Sequence, residues 1–302
     1  MTNRNVGHPV VVGVGDPTDR EVVRWAAAEA VRRGVGLRLV HGYVVMPYTM
    51  DQYVPDADTM ARRAGEAVMD VAEATAREAF PNLAVTTVLT YGQPELVLLE
   101  ESANAALVVV GTHPHSALTE TVFGSRAGGL VRDAACPVVA VPPDSAASDR
   151  TGPVVVGVDG SPASQAALGF AFDAASRRGV PLRVAHYWYG ELTDVERVEA
   201  RQDHHILLAE SLAGYRERHP DVSVSFEARA ADPVEALRAE SASACLLVLG
   251  THGLGRLASV LLGSVSRDLV RSARCPVAVV RPQGEKAERP SRLANNAAPR
   301  TD

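Results

Sequence analysis

Arg32–His41 reads RRGVGLRLVH, and Arg177–His186 reads RRGVPLRVAH. Each segment has the basic end of a helix, a glycine where a helix stops, and the start of an apolar strand. Seven of the ten positions are identical, so the chain reads as a duplication before any other element is assigned. Outward from this pair, VVVGVGD at Val10–Asp16 matches VVVGVDG at Val154–Gly160. Leu107–Val141 also aligns without a gap to Leu246–Val280, with 16 of 35 positions identical. A repeat of about 140 residues is too long for one turn of a solenoid and has the size of a domain.

Two domains are therefore expected, at residues 1–144 and 154–283, joined by a linker at 145–153. The join lies within PPDSAASDRTGP at Pro142–Pro153, which is rich in turn formers and has no apolar period. Residues 284–302 are polar and are expected to be a disordered tail. In the second copy, Val154–Val158, Leu182–Tyr187, Cys245–Gly250 and Pro276–Val280 read as buried strands, and Val222–Ala228 alternates like a strand with one exposed face. Between them lie helical stretches at Ala163–Arg178, Thr193–His219, Pro233–Ser243 and Gly263–Arg274. Strand–helix alternation of this kind predicts an α/β fold with a parallel sheet covered on both sides. The first copy repeats the order.

Composition narrows the function. The net charge of −6 comes with no cluster of Lys or Arg, against a general nucleic-acid or membrane-surface role. No stretch approaches the roughly 20 apolar residues of a membrane span, and no secretory signal is visible, so a cytoplasmic protein is expected. Cys136, Cys245 and Cys275 have no CxxC spacing and read as small buried thiols rather than disulfides or a zinc site.

In open α/β sheets, ligands bind beyond the carboxyl ends of the strands. Two loops of the second copy fall there. Asp159-Gly160-Ser161-Pro162 puts an acid at a strand end, where it can accept from an adenine amine or a ribose hydroxyl. The same residues form turns, and this segment alone favours the turn. The second loop is more specific. Gly250-Thr251-His252-Gly253 closes a strand, nine residues follow, and Gly263-Ser264-Val265-Ser266 opens a helix. Glycines let backbone approach a ligand, and the first turn of a helix offers unpaired amides and a partial positive charge. Ser264 and Ser266 add hydroxyl donors. The plainer reading has Ser264 capping the helix. Two glycine pairs at a fixed interval, framed by strand and helix, favour a phosphate site.

G-x-x-G, nine residues, then G-[ST] resembles the ATP-binding signature of the universal stress protein family, and Gly250–Ser264 fits it at every fixed position. VVVGVDGSPAS at Val154–Ser164 resembles that family's first strand and adenine-side loop, and CPVAVV at Cys275–Val280 its closing strand. The resemblance covers nearly the whole chain outside linker and tail, in the tandem form found in actinobacteria. It implies two Rossmann-like domains of the adenine nucleotide alpha hydrolase type, each a five-stranded parallel sheet in the order 3-2-1-4-5. It implies ATP as ligand, with Mg²⁺ held through phosphate and water. Carried over by position, Asp159 faces adenine or ribose, with Gly160 and Ser161 also counted as cofactor-binding. Tyr187 approaches the base through its backbone, with Leu249 and Gly250 near the nucleoside. Gly253, Gly263, Ser264, Val265 and Ser266 contact the phosphates.

The first copy departs from this pattern. Pro114 replaces the second glycine, fixing φ and removing an N–H. Gly111, Gly124 and Ser125 survive, but Arg126 and Ala127 replace Val-Ser, and Arg126 can pair with phosphate in partial compensation. The adenine-side loop is one residue shorter and reads Gly15-Asp16, which displaces its carboxylate. This copy is expected to bind more weakly, or to act as a dimer-like partner of the second. His113 and His252 read as loop histidines, His41 and His186 as packing residues, and the adjacent His204-His205 does not share one helix face. The leading expectation is an ATP-binding regulatory protein of the stress response, with no catalytic residue and an unknown regulatory partner. The alternatives are a slow ATPase or nucleotide transferase, which the missing GxxxxGK[ST] loop disfavours, and a decayed scaffold site in the first copy.

Overall fold

The computed structural model describes residues 7–45, 56–112, 129–143, 151–189, 212, 214–251 and 262–282. The first copy runs β1 (Val10–Gly13), α1 (Arg20–Arg33), β2 (Leu37–Tyr43), α2 (Ala57–Ala79), β3 (Val85–Tyr91), α3 (Pro94–Ser102), β4 (Leu107–Gly111), α4 (Gly129–Asp133) and β5 (Val138–Val141). The second runs β6 (Val154–Gly157), α5 (Pro162–Arg178), β7 (Leu182–Trp188), β8 (Val224–Ala230), α6 (Pro233–Ser241), β9 (Leu246–Gly250), α7 (Ser264–Ser272) and β10 (Val277–Val280), with a helical segment at 214–218. The linker residues 145–150, the tail 284–302 and most of the helical stretch expected over Thr193–His219 lie outside the described residues.

The local reasons match between copies. Gly34 and Gly179 close α1 and α5 in the left-handed region, at φ 66° and 63°, where a Cβ would be strained. Their amides return to carbonyls of the last turn. β1, β4, β5, β6 and β10 are runs of Val, Ala and Leu buried on both faces, as parallel strands between two helical layers must be. β8 instead pairs on one side only and alternates intermediate with exposed positions over part of its length.

Each copy has the expected order 3-2-1-4-5, and within each copy every pair of strands is parallel. The two sheets do not end separately. β5 and β10 pair antiparallel, Val277 with Ala140 and Val279 with Val138, giving one ten-stranded sheet. Each of the two core layers holds residues from both copies, so apolar packing is continuous across this seam. The antiparallel seam relates the copies by an approximate two-fold axis and places their carboxyl edges on opposite sides of the sheet.

Candidate functional site

In the second copy, His186 Nδ1 donates to Val158 O at 2.7 Å and fixes the chain just beyond β6. Asp159 Oδ1 then accepts the Ser161 amide at 3.0 Å, Gly160 takes φ 85°, and Ser161 caps α5 by accepting the Ser164 amide at 3.1 Å. Pro162 occupies the first helical turn, where its missing N–H costs nothing. The turn reading thus accounts for Asp159 Oδ1 and Ser161 Oγ.

This loop meets the glycine loop directly. A Cβ on Gly250 would lie 2.8 Å from the Ala163 carbonyl carbon and 3.0 Å from its oxygen, so only glycine lets the first turn of α5 rest on the end of β9. The chain leaves β9 through Thr251, whose amide donates to Val280 O at 3.1 Å, and returns at Gly263, whose amide donates to Thr251 O at 2.7 Å. Ser266 Oγ donates to Gly250 O at 2.7 Å and is buried. Its only hydroxyl proton therefore holds the helix against the strand, whereas the sequence suggested a phosphate donor.

α7 opens differently from α5. Gly263 is its N-cap with no side-chain cap bond, and Ser264, read from sequence as a possible cap, is the first helical residue and is exposed. The amides of Ser264, Val265 and Ser266 precede the first i→i−4 bond, which runs from Arg267 N to Gly263 O at 3.0 Å. Among the described residues no side-chain cap bond is made at this mouth, which carries the positive end of the helix dipole.

Tyr187 and Leu249 turn their side chains into the core, so both would meet a ligand through backbone. The Tyr187 hydroxyl donates to Glu240 Oε1 at 3.3 Å, and Arg229 covers its ring at 5.1 Å. Burial, helped by Glu240 and Glu227, pushes the phenol up to about 12. Sequence reasoning passed over Tyr189. It is 69% exposed just beyond β7, hydrogen-bonded to Asp232 at the start of α6 and close to Asp268 of α7. An aromatic two positions after Tyr187 was the available signal. Gly253 and His252 lie outside the described residues, as do His204 and His205.

The first copy keeps the scaffold and changes the edge. His41 Nδ1 donates to Val14 O at 2.7 Å, the counterpart of His186. Asp19, 4% exposed, accepts the amides of Gly15 at 2.8 Å and Asp16 at 3.0 Å through Oδ2, and Asp16 Oδ1 accepts the Thr18 amide at 2.8 Å. At α4, Glu95 accepts the amides of Leu130 and Gly129, and a Cβ on Gly129 would sit 2.3 Å from Glu95 Oε1. Burial and then Asp133 raise the Glu95 carboxyl, against the amides and Arg132. The counterparts of Glu95 and Gly129 in the second copy are Val234 and Asp268. Gly111 ends β4 as Gly250 ends β9, while His113, Pro114, Gly124, Ser125 and Arg126 lie outside the described residues.

Among the described residues there is no group of three or more His, Cys, Asp or Glu able to hold a metal ion, and no helix long and apolar enough to cross a membrane. Cys245 and Cys275 are buried, and burial pushes the half-buried Cys136 thiol up to about 12. A cleft of about 830 Å³ lies elsewhere, on the seam, lined by Cys136, Phe170, Tyr215, His219 and Arg281 among others. No residue of the α7 mouth lines it, so its size says nothing about that site.

Fold and edge together define a tandem α/β protein with a glycine-framed helix mouth in one half and, in the other, an edge whose first loop is closed by the buried carboxylate of Asp19. The model of the universal stress protein family matches residues 8–142 and 151–281, once in each half, and the chain belongs to that family. A universal stress protein of Mycobacterium tuberculosis is 38% identical over 299 residues, covering 93% of this chain and 99% of the relative. One from Mycolicibacterium smegmatis is 37% identical over 296 residues, covering 94% and 100%. Among solved structures, a universal stress protein from Archaeoglobus fulgidus has a TM-score of 0.67 at 18% identity, covering 91% of this chain and 97% of its own. One from Pseudomonas aeruginosa has a TM-score of 0.57 at 16% identity, covering 91% and 93%. At such identities the structural likeness bears on the fold alone.

Proposed function

We propose that the chain is a regulatory stress-response protein that binds ATP at the carboxyl edge of its second copy. The observation that carries this reading is the α7 mouth, with no side-chain cap among the described residues and pinned beside Gly250 and the Asp159–Ser161 loop. Three adjacent amides and a helix dipole suit a phosphate chain, and each hydrogen bond to a charged group contributes on the order of 1.5–3 kcal/mol. Val265 and Ser266 present backbone, Ser264 adds an exposed hydroxyl, and Gly253 completes the loop on the family pattern. The Asp159 loop and the backbone of Tyr187 and Leu249 face the nucleoside, with Tyr189 at the rim. Mg²⁺ would come with the triphosphate, bound by phosphate and water. The first copy serves as a structural partner with little nucleotide affinity: Asp19 already holds the amides of its first loop, and Pro114 breaks the glycine pattern of its second.

Mass spectrometry of small molecules released from gently purified full-length protein tests the ligand. An adenine nucleotide is expected, and a different class of ligand would overturn the reading. Sustained phosphate release from ATP in steady state would replace the regulatory role with turnover.

A further inference from the structure

α1 and α5 pack across the seam, and the two-fold axis exchanges their residues. Arg33 corresponds to Arg178, Trp25 to Phe170, and Glu29 to Ala174. The contacts follow this exchange. Arg33 lies over the Phe170 ring at 5.3 Å, and Arg178 lies over the Trp25 ring at 5.9 Å. One position breaks the symmetry. Glu29, 1% exposed, takes Arg33 Nε at 2.6 Å on its own helix and Arg178 Nη2 at 2.5 Å across the seam, while Ala174 has only a methyl group to answer with. Burial alone would raise the Glu29 carboxyl, but Arg178, Arg33 and Arg32 outweigh it and hold it below the usual carboxylate range.

We propose that Glu29 is a lock for unlike halves, one carboxylate serving the two symmetry-related guanidiniums so that a first copy pairs with a second copy and not with its own kind. The charge count gives the reason. An unlike pair buries two of these guanidiniums and one carboxylate. Two second copies would bury two guanidiniums and no carboxylate, while two first copies would balance. Like pairing therefore concentrates all the uncompensated charge at one seam, and the cost of buried charge rises faster than the charge itself. A duplicated chain has both kinds of half in equal number, so it gains most by closing on itself.

The test uses the full chain. Glu29→Ala should lower the melting temperature by about 5–10 °C. It should also produce, at high concentration, a discrete species of twice the wild-type mass by light scattering, as halves of separate chains meet once no pairing is preferred. Leu39→Ala, a core variant used as a control for lost stability, should show no such species. Glu29→Ala combined with Ala174→Glu moves the carboxylate to the symmetry-related position, where it again meets both arginines. The double variant should regain most of the lost melting temperature and the wild-type mass. Absence of that recovery overturns the lock, as does a Glu29→Ala chain that loses stability without changing mass. If Glu29→Ala does not fold, the double variant decides alone: a wild-type-like melting temperature supports the lock, and failure to fold overturns it.

Discussion

The two halves share strand order, register and helix stops, yet their carboxyl edges hold backbone amides with different residues. In the first copy, carboxylates of the chain itself take them: Asp19 holds Gly15 and Asp16, and Glu95 holds Gly129 and Leu130. In the second copy, the first loop closes on a short turn and cap, and the α7 mouth has no side-chain cap among the described residues. The lesson is that a duplicated scaffold does not duplicate its site. An internal carboxylate, Asp19, closes the first-copy loop whose second-copy counterpart closes on its own turn.

The largest effect that can break this comparison is expected at Asp19. Asp19→Ala leaves two amides without their carboxylate in a buried loop and should cost about 3 kcal/mol in urea unfolding. The corresponding loss in the second copy, Ser161→Ala, should cost only about 1 kcal/mol, the usual value of a helix cap. Equal costs would mean that the two loops are held alike. Gly250→Ala falls between them, at about 2 kcal/mol, because its Cβ would press on the Ala163 backbone rather than on a movable side-chain end. It should also weaken nucleotide binding by separating the two loops.

Smaller effects appear as slopes with pH. The Glu95 carboxyl is raised in the folded protein, so the stability it contributes is complete below its ordinary value and is lost as pH rises through the folded value. Relative to wild type, Glu95→Gln should therefore gain stability between pH 4 and 7, by less than about 1 kcal/mol for so partly exposed a group. The Glu29 carboxyl is lowered, so its contribution is present above the ordinary value and is lost as pH falls through the folded one. Glu29→Gln should thus lose more at pH 7 than at pH 3. Chemical unfolding across that range reads both slopes, and slopes of the same sign would contradict the assignment.

Much of this was legible in the sequence, and the failures have physical causes. The duplication, the buried strands and the glycine stops at Gly34 and Gly179 follow from local pattern alone. The antiparallel β5–β10 seam does not, because an apolar run such as Val277–Val280 reads the same beside a parallel or an antiparallel neighbour. Ser266 looked like a ligand donor because its type and place fit one, but its proton goes to Gly250 O, a contact set by where the helix docks. Glu95 drew no reading from the sequence, since an acid in the first turn of a helix is common. Its role depends on Gly129, a partner that no local pattern links to it. Pro114, the departure from the family pattern visible in the sequence, lies outside the described residues.

Calorimetric titration of ATP into nucleotide-free full-length protein tests the central claim most directly, using wild type, Ser264→Pro and Ser125→Pro. Proline fits the first position of a helix, so Ser264→Pro removes an amide from the mouth while leaving α7 intact. The expected result is about one nucleotide per chain, at least a roughly tenfold loss of affinity for Ser264→Pro, and no change for Ser125→Pro. Two nucleotides per chain, or binding lost in Ser125→Pro and kept in Ser264→Pro, would contradict it.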